Sequence, residues 1–100
     1  MVNLMRNHCQ PHATAILLHR LNPEANEARF YLIQVGPSLV DRYAVLRIWG
    51  RIGGQQRQMA SPCLSAEEAQ ALARRIVRKR LRRGYRRVWG DTSLIETGEA

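Results

Sequence analysis

Long apolar runs are missing from this chain of 100 residues, and sulfur chemistry is limited to two cysteines and three methionines. No stretch is long enough to span a bilayer or to form the apolar heart of a secretory signal, which argues against a membrane protein and against export. Cys9 and Cys63 stand far apart with nothing secretory before them, so they are expected as reduced thiols of a cytoplasmic protein. Acid is scarce as well: eight Asp and Glu face sixteen Lys and Arg, a formal net charge of +8. Arginine greatly outnumbers lysine, which favours partners whose phosphates or carboxylates a planar fork can grip through two donors. Nucleic acid is the first such partner, and an anionic membrane surface the second.

Constellations for catalysis and metal binding are absent too. His8, Cys9, His12 and Cys63 are ligand types without the paired spacings of a zinc site. As a thiol–imidazole nucleophile pair they lack an orienting acid and an oxyanion device. Gly50, Gly53 and Gly54 do not lead from a strand into a helix, so they read as turn residues rather than a phosphate-binding loop. No enzyme activity, cofactor, metal site or small-molecule substrate is expected.

What is present fits one small α+β domain, in which a modest core allows a single sheet with one covering helix. Residues 1–11 have no period and read as a flexible arm, 12–89 as the domain, and 90–100 as an acidic flexible tail. Ala13 to Leu21 has strand length and stops at Asn22-Pro23, while the aromatic and β-branched run Phe30 to Val35 is closed by Gly36-Pro37-Ser38. A third strand runs from Arg42 to about Ile52 and a polar fourth from Gln55 to Ala60, ended by Ser61-Pro62. Tyr85 to Trp89 suits a short final strand at the sheet edge. The expectation is therefore a small antiparallel sheet of four to five strands.

Ser65-Ala66-Glu67-Glu68 is a capping box that starts the helix, and Gly84 stops it. Ala69, Leu72, Ala73, Ile76 and Val77 form its apolar stripe. Arg74, Arg75, Arg78 and Arg82 lie opposite, and Arg80 falls near the stripe's centre, from where it must lift its charge out of the core.

In the third strand, alternation separates Ala44, Leu46 and Ile48 from Tyr43, Val45, Arg47, Trp49 and Arg51. The first set reads as the helix-covered face, although Tyr43 and Val45 would also suit a core. On the second, two arginines flank a tryptophan, an arrangement that stacks on a nucleotide while the arginines hold neighbouring phosphates. The bland alternative is that Trp49 closes the open end of the core. For the basic run from Arg74 to Arg87 it is a solvated helix face, which the lack of interrupting acids disfavours.

Arg29-Phe30-Tyr31 at one strand start, Arg47-x-Trp49-Gly50-Arg51-Ile52-Gly53 at the next, Glu68-Ala69 opening a helix, and Lys79-Arg80 leading to Gly84-Tyr85 occur in a recognisable order. The chain closely resembles the WGR domain over residues 13–87, in particular its small stand-alone bacterial versions. The resemblance implies a mainly antiparallel sheet with a helix across one face. In the DNA-dependent poly(ADP-ribose) polymerases such a domain grips DNA near a break. Carried over, Trp49 would pack on the terminal nucleotide, Arg51 would contact the backbone or a partner domain, and Arg29 and, more weakly, Asn26 would add phosphate contacts. Ala28 departs from the asparagine that those polymerases often place before the basic residue.

The resulting expectation is a non-enzymatic module that binds nucleic acid, chiefly DNA, with little sequence preference and a preference for ends or nicks. The alternative is an adaptor that docks an acidic partner protein through the Trp49 surface. Trp49, Arg51, Arg47, Arg29 and Asn26 form the expected primary site, with Arg83, Arg86 and Arg87 in reach of the same duplex end. With the helix on the Ala44 face, Arg74, Arg75 and Arg78 would point away and give only secondary electrostatic attraction.

Overall fold

Alternating apolar residues draw the first part of the chain into strands, and the structure, a computed structural model, describes residues 14–38 and 42–95. Four strands precede the helix: β1 (Thr14–Asn22), β2 (Glu27–Pro37), β3 (Tyr43–Arg51) and β4 (Gln56–Cys63). Helix α1 (Ala66–Arg82) follows, and then β5 (Arg86–Gly90). The sheet order is β4-β3-β2-β1-β5 with every neighbouring pair antiparallel. This is the expected α+β architecture. Helix α1 carries the chain across one face, from the β4 edge to the opposite edge where β5 pairs with β1.

Both helix ends are built as the residues indicate. Ser65 Oγ accepts from the Glu68 amide at 3.1 Å, worth about 1 kcal/mol. The Glu68 carboxylate reaches past the cap residue itself and accepts from the Leu64 amide at 2.9 Å. At the other end the Gly84 amide donates to the Leu81 carbonyl and the Tyr85 amide to the Arg80 carbonyl, each at 3.1 Å, which is the Schellman pattern. Gly84 takes the left-handed conformation this requires, with φ at +97°.

The helix covers the face opposite to the one expected. The core joins Ile16 and Leu18 of β1, Tyr31, Ile33 and Val35 of β2, and Val45 of β3 to Ala69, Ala73, Ile76 and Val77 of α1. Tyr43 and Trp49 pack against this core, whereas Ala44, Leu46 and Ile48 point to the side on which no described helix lies. Arg47 is what disguised the covered face. It stands in register with Ile33 and Met59 on the covered face, where its Nε is buried and its Nη2 lies against the Met59 sulfur. The Val45 face is continuous with Ile16, Leu18, Tyr31, Ile33 and Val35 of β1 and β2, so the helix that buries those residues, each Ile, Leu or Val contributing about 1.5–3 kcal/mol, covers Val45 too.

Boundaries also differ: β2 begins at Glu27 and takes in Gly36 and Pro37, beyond the expected run Phe30 to Val35 at both ends. β4 continues through Pro62 to Cys63, which an edge strand allows because one side of its backbone has no partner strand. Beyond β5 the chain still belongs to the core: Asp91 Oδ1 accepts from the Ser93 amide at 2.9 Å, and the short 3-10 turn Thr92–Leu94 buries Leu94 fully. The arm expected over residues 1–11 and the last five residues of the expected tail lie outside the described residues. So do His8, Cys9 and His12, and Cys63 is a buried thiol. Among the described residues no helix is long and apolar enough to cross a membrane.

Candidate functional site

Strand register assembles the site row by row on the helix side of the sheet. One row places Leu18, Tyr31, Trp49 and Arg57 abreast across β1, β2, β3 and β4. The next, beyond the end of the core, places Arg20, Arg29 and Arg51 abreast on three adjacent strands. Like charges directly opposite one another oppose sheet formation by roughly 0.2–1 kcal/mol per pair, so this row needs compensation. The β1–β2 turn supplies part of it. The Glu27 carboxylate pairs with Arg20 at 3.5 Å and Arg29 at 3.4 Å, and both arginine side chains remain substantially exposed.

Arg51 is held by a different device. Asn26 adopts the left-handed conformation, φ 54°, after the short 3-10 turn Pro23–Ala25. In that pose it offers its carbonyl oxygen to Arg51 Nη1 at 3.1 Å and its Oδ1 to Nη2 at 3.4 Å. Asn26 thus orients the Arg51 guanidinium through two neutral acceptors.

Trp49 is half core and half surface. Its ring stacks on Tyr31 with centroids 5.7 Å apart and planes 17° apart, and Tyr31 meets Tyr85 edge to face. The remaining surface of Trp49 faces a cleft of about 330 Å³ shared with Arg29, Gly50, Arg51, Gln55 and Arg57. An indole fixed from behind beside three arginines can carry an apolar sugar or base while the guanidiniums take phosphates.

Gly50 makes the hairpin bordering this cleft sterically possible. A Cβ there would collide with the Gln55 carbonyl oxygen, and that carbonyl accepts from the Arg51 amide at 3.3 Å as the β3–β4 hairpin closes.

Arg47 belongs to a second cleft, of about 400 Å³, between β3 and α1. There it meets Arg75, Arg78, Lys79, Arg80 and Arg82 over Leu72 and Ile76. Arg80 lies over the Tyr31 ring, 4.8 Å from its centroid, so the aromatic stack links the two clefts. The expected separation of Trp49 from the helix arginines is therefore corrected: with α1 on the Trp49 side, Arg80 reaches the Tyr31 ring on which Trp49 stacks, and Arg75 and Arg78 line the same cleft as Arg80. Arg74 lines neither cleft.

The remaining expected residues fall elsewhere. Arg83 is the exposed C-cap of α1. Arg86 and Arg87 lie on β5, with β1 and β2 between them and β3, roughly 14 Å away at ordinary strand spacing. Arg20, Arg57, Lys79, Arg80 and Arg82 belong to the arginine row or the two clefts and were left out of the expected site. The signal for Arg57 was the hairpin register opposite Trp49, and for Arg80 its place inside the apolar stripe of α1.

The model of the WGR domain matches residues 14–91 of the chain. Among curated proteins, the uncharacterized protein y4dW of Sinorhizobium fredii is 35% identical over 71 residues, covering 71% of this chain and 35% of that protein. The chain thus spans about a third of the length of the curated relative it matches. No solved structure matches it.

Proposed function

We propose a function from one established premise: the chain belongs to the WGR domain family, which is often associated with nucleic-acid binding. In this reading it is a non-enzymatic module for DNA, indifferent to sequence and selective for ends or nicks. The observation that carries the reading is the row Arg20, Arg29 and Arg51 beside Trp49. Three guanidiniums abreast strain the sheet, and one carboxylate, Glu27, stands between two of them. A phosphate backbone relieves that strain, and the partly open indole suits a nucleotide whose sugar or base is exposed at an end. The side chains match phosphate and sugar contacts, and α1 is packed on the sheet rather than free to enter a groove, so base reading is not part of the proposal.

Fluorescence anisotropy with blunt, end-phosphorylated, nicked and circular DNA, and with RNA, tests it. The expected result is tighter binding to ends and nicks, a loss of about 1–3 kcal/mol on Trp49→Ala, and a steep fall in affinity between about 50 and 200 mM salt. Equal affinity for every nucleic acid removes the end preference. Salt-insensitive binding to a single protein partner, with no retention on DNA, replaces the proposal by an adaptor function.

A further inference from the structure

We infer that the cleft between β3 and α1 is a phosphate-binding site distinct from the Trp49 cleft, with Arg47 and Arg80 as its inner donors. The ligand is a run of closely spaced phosphates, a chemistry shared by a nucleic-acid backbone and a free oligophosphate. Only the choice of nucleic acid as the source rests on the function proposed above.

The cleft itself argues for high anionic charge. Among the described residues six cationic side chains border it and no acid does, so a single carboxylate would leave most of that charge unmet. Phosphate oxygens accept from several guanidiniums at once, and successive phosphates reach both the inner pair and the helix rim of Arg75, Arg78, Lys79 and Arg82.

The inner pair argues for a specific seat rather than a diffuse field. Nε of Arg47 and Nε of Arg80 are both buried without a hydrogen-bond partner. Native proteins rarely leave such donors unmet, and an oxyanion seated against the two forks supplies what is missing. Arg47 otherwise gives Nη2 to the Met59 sulfur at 2.7 Å, a weak acceptor that an anion readily replaces. Arg80 is held over Tyr31 before any ligand arrives, so little ordering cost remains on binding.

The test titrates the full chain with sodium tripolyphosphate while following the arginine Nε–H signals by NMR and the affinity by calorimetry. The expected result is that the Arg47 and Arg80 signals shift and saturate together. Arg80→Lys, which keeps the charge but loses the fork, should weaken binding about tenfold, whereas Arg42→Gln, outside both clefts, should change it less than about twofold. Arg47→Lys is the parallel variant if circular dichroism shows Arg80→Lys misfolded. Equal losses from Arg80→Lys and Arg42→Gln, or unmoved Arg47 and Arg80 signals, overturn the site.

A short DNA duplex then identifies the source. Displacement of tripolyphosphate with movement of the same two signals supports the nucleic-acid backbone. A duplex that shifts the Trp49 indole alone refutes that source. Tripolyphosphate binding without any duplex binding supports the cleft while removing the proposed DNA function.

Discussion

At the scale of single residues, two positions set the geometry around Trp49 without needing to touch a ligand. A methyl group at Gly50 would overlap the Gln55 carbonyl oxygen, which no rotamer change can avoid because the obstacle is backbone. Gly50→Ala is expected to cost about 1–3 kcal/mol in urea unfolding and to open the β3–β4 hairpin. A variant as stable as the parent would mean that the close approach is not maintained in solution. Glu27 is the second position. It is the one described carboxylate paired with the arginine row, and its pairs are exposed enough that Glu27→Gln should cost less than about 1 kcal/mol of stability. Removing that negative charge should raise DNA affinity roughly 2- to 5-fold at low salt, with the gain fading at high salt. Weaker binding by Glu27→Gln would show instead that the carboxylate is needed to aim Arg20 and Arg29.

At the scale of elements, the helix end is a clean target. A Cβ on Gly84 would approach Arg20 no closer than 3.7 Å, so the cost of Gly84→Ala is conformational rather than steric. Thermal or urea unfolding should show a loss of about 1 kcal/mol, since alanine must adopt the same positive φ to keep the Schellman bonds. No loss would indicate that the helix ends differently. The two ends of α1 were legible in the sequence because caps are local chemistry: Ser65 and Gly84 act on backbone groups a few residues away. Strand existence was legible for the same reason. The face of β3 that receives the helix was not, because it depends on partners distant in sequence. Val45 lies opposite Val35 and Ser61, and Arg47 opposite Ile33 and Met59, and none of these pairings is visible along β3 alone. An arginine in the middle of a covered face reads as solvent until the helix above it is placed. Leu94 escaped for a related reason, since a lone leucine in a polar segment has no period, and its burial follows from the Asp91-capped turn.

At the scale of the molecule, the sheet divides labour between its two faces. The helix side holds the core in its middle and, around it, the Trp49 cleft with Arg29, Arg51 and Arg57 and the α1 cleft with Arg47 and Arg80. The other face presents Ala44, Leu46 and Ile48, and Trp89, paired with Leu17 and 49% exposed, lies towards its edge. Positive charge is therefore concentrated around a fixed aromatic stack, and the orientation of α1, which the sequence left open, joins the tripeptide Trp49-Gly50-Arg51 to the basic helix instead of separating them. That arrangement makes one surface, and one only, the place where DNA should lie. The most direct test is an NMR titration of the full chain with a short end-phosphorylated duplex, following the two indole Nε1–H signals and the backbone amides. The account predicts that the Trp49 indole and the amides of Arg29, Arg51 and Arg57 shift together, while the Trp89 indole and the amides of Leu46 and Ile48 stay in place. Shifts centred on Trp89 and the Leu46 face, with Trp49 unmoved, would contradict it.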